Sequence, residues 1–162
     1  ALRTLRTAAR EAMTELRATV AVLRGGDDTP LPPSPGLHDL DGLVQTARSG
    51  GVDVQLRTSG EERALPVAVD VTAFRVVQEA LTNVVRHAGA SVATVSIRYE
   101  PAALFVTVDD DGRGSTSDLP AGHGLVGIRE RAEALGGAAH LGPAPGGGFR
   151  VQVRLPTERV TP

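Results

Sequence analysis

The stretch Val77-Gln78-Glu79-Ala80-Leu81-Thr82-Asn83-Val84-Val85-Arg86-His87-Ala88 reads as a helix with two separable faces. At about 100° per residue, Glu79, Asn83, Arg86 and His87 share one narrow arc. Val77, Leu81, Val84 and Ala88 lie on the opposite side, which must face a core. A carboxylate, a carboxamide, a guanidinium and an imidazole thus converge at helical spacing. Together such groups can hold a metal ion and a polyphosphate.

The rest of the chain supplies the layers such a helix needs. Residues 2–24 read as one helix. Leu2, Leu5, Ala9, Ala12, Leu16 and Leu23 follow a 3-4 alternation broken at Thr19, which suits a coiled-coil or bundle seam. Gly and Pro from Gly25 to Gly36 exclude regular structure, so 25–36 reads as a linker. Leu37–Ala47 has helical spacing, and Val52–Leu56 alternates as a strand. Pro66 suits the start of the long helix, expected to run to Ala88. Ser91–Tyr99 and Ala103–Val108 alternate as two strands, with Glu100-Pro101 as the turn between them. Asp109–Gly124 reads as a polar loop. Leu125–Leu135 reads as a helix stopped by Gly136-Gly137. Ala138–Leu141 and Phe149–Leu155 read as closing strands around the Gly146-Gly147-Gly148 turn. The expected fold is α+β: a mixed or antiparallel sheet with helices on one face, preceded by one long amphipathic helix.

Composition removes several kinds of chemistry. All 17 Lys-or-Arg positions are Arg, which excludes a phosphate-loop lysine and Schiff-base catalysis. Cys is absent, which excludes disulfides, thiolate metal sites and a Cys nucleophile. A net charge of −2 supplies no global field for nucleic acid, and no direct nucleic-acid or membrane contact is expected.

Two further motifs carry chemistry. Val108-Asp109-Asp110-Asp111-Gly112-Arg113-Gly114 ends a strand in three carboxylates. Calcium loops space their acids at alternate positions and close with a downstream Glu, and neither feature is present. One Asp pointing into a pocket is the better reading, with glycines that let backbone approach a ligand. A carboxylate only accepts hydrogen bonds, so it selects an exocyclic amine over a carbonyl. The alternative is an acidic loop tip. Gly122-His123-Gly124-Leu125 precedes a helix, whose free N–H groups and dipole favour an anion.

This ordered set resembles the ATP-binding domain of histidine kinases of the NarL/DesK type, within the fold shared with gyrase B and mismatch-repair ATPases (the Bergerat-type two-layer α/β sandwich). The likeness rests on Phe74–Ala88, on Asp110-Asp111-Gly112-Arg113-Gly114 and on Gly122–Arg131. It continues through Leu135-Gly136-Gly137 and Gly146–Pro156. The resemblance implies an ATP-binding catalytic domain over 37–157, followed by a tail at 158–162. It implies that Asn83 ligates Mg²⁺ and that Glu79 holds a metal-bound water. Arg86 and His87 would lie near the phosphates. Asp110 would read the adenine amine, with Gly112 and Gly114 closing over the base. Residues 115–121 would form a short ATP lid, and Gly122, His123, Gly124 and Leu125 a phosphate cradle. Phe149 stands where many relatives carry Thr, which puts a water-bridged adenine contact in doubt.

The resemblance also implies an enzyme, a protein-histidine kinase using ATP and Mg²⁺. Residues 1–24 are similar to the second helix of the dimerisation hairpin. The first hairpin helix, with the phosphoacceptor histidine, would precede Ala1, so this chain alone should not autophosphorylate. His38-Asp39 follows a Pro-rich linker in a short helix and is read as part of a capped surface helix. No phosphoacceptor is assigned in this chain. Expected partners are a second kinase copy, through residues 2–23, and a response regulator with a helix-turn-helix output domain. The expected location is cytoplasmic. Two alternatives are an anti-sigma-factor-type serine kinase on the same fold and a non-catalytic dimerisation module. Gly124-Leu125-x-Gly127-x-x-Glu130-Arg131 and the first helix argue against the former.

Overall fold

A computed structural model describes residues 34–114 and 123–158. The helix expected over 1–24, most of the 25–36 linker, the 115–121 lid and Gly122 lie outside the described residues. Those described belong to one compact unit, Ser34–Pro162.

A 3-10 turn, Leu37–Asp39, leads into helix α1, Leu40–Ser49. Strand β1, Asp53–Ser59, is followed by helix α2, Val67–Asn83, which a π-helical turn, Val84–Ala88, extends. Strands β2, Val92–Glu100, and β3, Ala103–Asp110, form a hairpin. Helix α3, His123–Ala134, precedes strands β4, Ala138–Pro143, and β5, Phe149–Pro156.

The sheet order is β1-β2-β3-β5-β4. β1 and β2 are parallel, joined through α2, and the other neighbours are antiparallel. All three helices pack on one face. Alternation sets that face. Val95 pairs with Val108 and Val108 with Val151, while Ile97, Val106 and Val153 make the next apolar row. These side chains meet Val76, Val77, Ala80 and Leu81 of α2 in a single core. The other face carries Thr94, Ser96, Thr107 and Gln152, and places the Arg98 guanidinium 4.3 Å from the Phe105 ring centroid. Among the described residues no helix is long and apolar enough to cross a membrane.

The structure shifts four sequence boundaries. The expected α-helix to Ala88 stops at Asn83, and the last turn widens. Gly89, at φ +57°, then reverses the chain. β1 runs on to Ser59, and β3 keeps Asp109 and Asp110 in the ladder, opposite Thr94 and Ala93. α3 begins at His123, two residues earlier than its apolar pattern suggests, because a helix's first turn is set by its N–H geometry and not by burial.

Candidate nucleotide site

The site lies where the C-terminal half of α2, the ends of β3 and β5 and the start of α3 come together. The three carboxylates of Asp109-Asp110-Asp111 point to three different tasks. Asp109 faces the polar side of the sheet and takes a bidentate ion pair from Arg150, with Nε–Oδ1 2.6 Å and Nη2–Oδ2 2.7 Å. Asp111 accepts the N–H groups of Ser91 and Val92 on Oδ1, at 2.8 and 2.9 Å, and so ties the start of β2 to the end of β3. Asp110 alone faces the helical side, and it is the one charged side chain buried among the described residues, 8% exposed. Alternation along β3 separates Asp110 from its neighbours; one sequence motif thus contains two groups tied into the sheet and one buried on the helical side.

Asp110 is held from two directions. Its Oδ1 accepts the N–H of Gly112 at 2.8 Å and the N–H of Phe149 at 3.3 Å. Burial pushes its carboxyl above the usual range against the pull of those two N–H groups, with the charges of Asp111 and Asp109 adding to the rise. Glycine is required around it. A Cβ on Gly112 would stand 2.4 Å from the Ala88 carbonyl oxygen, and one on Gly148 would stand 1.8 Å from the Asp110 carbonyl oxygen. The Ala88 carbonyl accepts the Arg113 N–H at 3.0 Å, which fastens the π turn to the loop after β3.

The polar face of α2 only partly keeps the arc of an ideal helix. Glu79 and Asn83 are half-buried, while Arg86 and His87 are exposed on the π turn. A π turn advances each residue by less than an α turn, so Arg86 and His87 leave the line through Glu79 and Asn83. Val77, Leu81 and Val84 are buried, and Ala88 packs half-buried against the core. Glu79 reaches α3, its Oε1 lying 1.9 Å from where a Gly124 Cβ would be. Gly124 and Leu125, both half-buried, stand in the first turn of α3, where backbone N–H groups lack intrahelical acceptors. Gly114, at φ +72°, approaches Gly148. Two sets of contacts thus join the candidate residues: Glu79 with Gly124, and Asp110 with Gly112 and Gly148, the Gly112 backbone lying against Ala88 at the end of the π turn that carries the exposed Arg86 and His87.

Sequence reasoning missed two contributors. Gly148 and the Phe149 N–H position Asp110 across the sheet, yet the Gly146-Gly147-Gly148 run signals only a turn. The assignment of Asp111 to the β2 end needed the strand register.

His38 sits in the 3-10 turn, exposed, with Nε2 3.1 Å from Asp39 Oδ2. Asp39 also accepts the Gly36 N–H at 3.1 Å, and Asp70 accepts that of Leu37 at 2.9 Å. This is a capped surface turn. His140 is exposed on β4, the sheet's edge strand.

The family model for histidine kinase-, DNA gyrase B- and HSP90-like ATPases matches residues 68–159. The chain belongs to that family. Its fold is therefore an ATP-binding one, built with the mixed sheet and one-sided helices expected. It is similar to the sensor histidine kinase YxjM of Bacillus subtilis, 38% identical over 91% of this chain and 36% of that protein. It is also similar to the histidine-protein kinase/phosphatase UhpB of Salmonella typhimurium, 37% identical over 76% of this chain and 26% of that protein. The chain thus spans between about a quarter and just over a third of the length of these relatives. Among solved structures, the ATP binding domain of PrrB from Mycobacterium tuberculosis aligns with a TM-score of 0.54 at 25% identity, covering 77% of this chain and 96% of that one.

The Asp111 geometry gives a pH prediction. The Val92 N–H, seconded by that of Ser91, holds its carboxyl below the usual range. A depressed folded pKa stabilises above the unfolded value, about 3.9, and that contribution is lost as pH falls through the folded value. Asp111→Ala should therefore lower Tm at pH 7, and the drop should shrink as pH falls below the usual carboxylate range. Thermal melts followed by circular dichroism across that pH range check this; a drop that does not change with pH would remove the assignment.

Proposed function

We propose that this chain carries the ATP-binding catalytic domain of a two-component sensor histidine kinase of the NarL/DesK type. The carrying observation is Asp110: a buried carboxylate fixed by two backbone N–H groups, at the end of β3 between the close-approaching backbones of Gly112 and Gly148. Such a carboxylate accepts and never donates, which selects the exocyclic amine of adenine. The first-turn N–H groups of α3 suit the phosphates.

The donor set fits Mg²⁺ held jointly by protein and nucleotide. Among the described residues no cluster of three or more His, Cys, Asp or Glu forms a metal cage. Mg²⁺ commonly takes one or two protein oxygens and completes its shell with phosphate and water. The Asn83 amide oxygen would ligate it, and the Glu79 carboxylate would hold a water of its shell. The ion's contribution is to neutralise charge on the phosphates. Arg86 and His87 would meet the phosphate tail. The γ-phosphoryl group then passes to a histidine on a dimerisation helix, for relay to a response regulator with a helix-turn-helix output domain.

The proposed organisation is a second hairpin helix at 1–24, a linker at 25–36, the catalytic domain at 37–157 and a tail at 158–162. Residues 2–23 would pair with a second kinase copy, in the cytoplasm. Support comes from the similarity to YxjM and UhpB and from the order of the site motifs.

Calorimetric titration with Mg·ADP tests nucleotide binding; no heat of binding would end the proposal. Radiolabel transfer from ATP to a histidine-bearing hairpin fragment, with none to this chain, is the expected kinase result.

Gly124 separates binding geometry from folding. An added Cβ would meet the flexible Glu79 side chain, from its carboxylate to Cγ, and Ala favours a helix over Gly by up to about 1 kcal/mol. Gly124→Ala should hold or raise Tm while displacing the Glu79 carboxylate. Mg·ADP affinity should then fall about tenfold, near 1.4 kcal/mol, and Mg-free ADP affinity should stay put. Titrations with and without Mg²⁺ on the same sample decide it.

A further inference from the structure

Of the chain's four aromatic residues, three Phe and one Tyr, only Phe149 stands at the site. Phe74 is buried within α2, and Tyr99 is buried at the hairpin end of β2. Phe105 lies on the opposite face of the sheet, under Arg98. Phe149 opens β5 on the same face as Val151, Val153 and Leu155, by strand alternation, and packs half-buried against the core. Its N–H reaches Asp110 Oδ1 at 3.3 Å. Gly146, Gly147 and Gly148 precede it and offer no side chain to cover the ring.

A purine presents an edge and two flat faces. Asp110 can read the edge, but a carboxylate supplies nothing to a face. A flat apolar surface beside that carboxylate supplies what is missing, because base and aromatic ring stack whatever the base's substituents. We propose that the Phe149 ring is the wall on which the nucleobase packs, and that this contact sets how strongly the site prefers a nucleotide over a bare polyphosphate. The proposal rests on the nucleotide-binding reading above.

Calorimetry on this chain tests the wall with two probes, Mg·ADP and Mg·tripolyphosphate, the second having no base. Phe149→Thr and Phe149→Leu should each weaken Mg·ADP by about 10- to 100-fold, and Phe149→Tyr should restore it. Tripolyphosphate affinity should be the same in all four proteins. In the wild-type complex, nuclear Overhauser contacts should join the Phe149 ring protons to adenine H2 or H8. If both probes weaken together, Phe149 is only a packing residue and the proposal fails. It fails equally if neither probe weakens, or if the ring shows no contact with adenine. A wild-type chain that binds no Mg·ADP would instead overturn the nucleotide reading itself. Phe149→Leu keeps the test informative if the Thr variant does not fold.

Discussion

Asp110→Asn should abolish adenine-nucleotide binding while leaving the protein as stable as before or more so. The two effects have opposite signs for one reason. Gly112 and Phe149 both donate N–H groups to Oδ1, so an asparagine must place its carbonyl oxygen there. Its NH₂ group then takes the Oδ2 position and meets the adenine amine donor to donor. Replacing an acceptor by a donor in a buried site costs about 3 kcal/mol or more, at least 100-fold in affinity. Folding responds differently. The Asp110 carboxyl is raised mainly by burial, so its ionised form destabilises the fold at neutral pH. A raised folded pKa gives a contribution present below the unfolded value and lost as pH rises through the folded one. The neutral amide keeps both backbone contacts without that loss. Melts at pH 7 should show an unchanged or higher Tm for Asp110→Asn, and calorimetry should show no Mg·ADP binding. In the unmodified chain, affinity should fall as acid protonates Asp110. Equal ADP binding by the variant would remove Asp110 as the adenine reader.

Gly148→Ala should damage both stability and binding. Its φ of +82° disfavours any L side chain, and its Cβ would lie 1.8 Å from the Asp110 carbonyl oxygen, a backbone atom that cannot rotate away. Gly147→Ala is the matched control. Its φ is +91°, but nothing lies within 4 Å of its Cβ. Gly147→Ala should cost about 1 kcal/mol, the conformational share alone. Gly148→Ala should cost about 2–4 kcal/mol, because β5 must move from β3 to relieve the contact. That corresponds to a drop in Tm on the order of 10 °C. The same movement withdraws the Phe149 N–H from Asp110, so Mg·ADP affinity should fall with it. Two variants of equal Tm would show that the close approach to Asp110 is not what Gly148 provides.

Much of this was legible from spacing. The apolar stripe of α2, the alternation of β2, β3 and β5 and the stop at Gly136-Gly137 follow local periodicities that survive folding. The joint order of helix face, strand-end Asp and Gly-x-Gly was enough to place the family. Spacing failed where a local rule met a distant atom. The end of α2 widens into a π turn with its last carbonyl on Arg113, and nothing in Val84–Ala88 signals that change. Asp109 and Asp111 carried no assignment in the sequence; strand register gives them Arg150 and the start of β2 as partners.

By itself the sequence determined the layers and the helix that bears Glu79 and Asn83. Periodicities of 3.6 and 2 are properties of neighbouring residues, and hydrophobic burial acts on them wherever the chain goes. The tertiary structure alone decided what the two flanking carboxylates do and which backbone groups hold Asp110. Burial and hydrogen-bond partners are set across the sheet, between β3 and β5, by residues far apart in the chain. The contact between β3 and β5 is what fixes the Asp110 carboxylate, and no local periodicity encodes it.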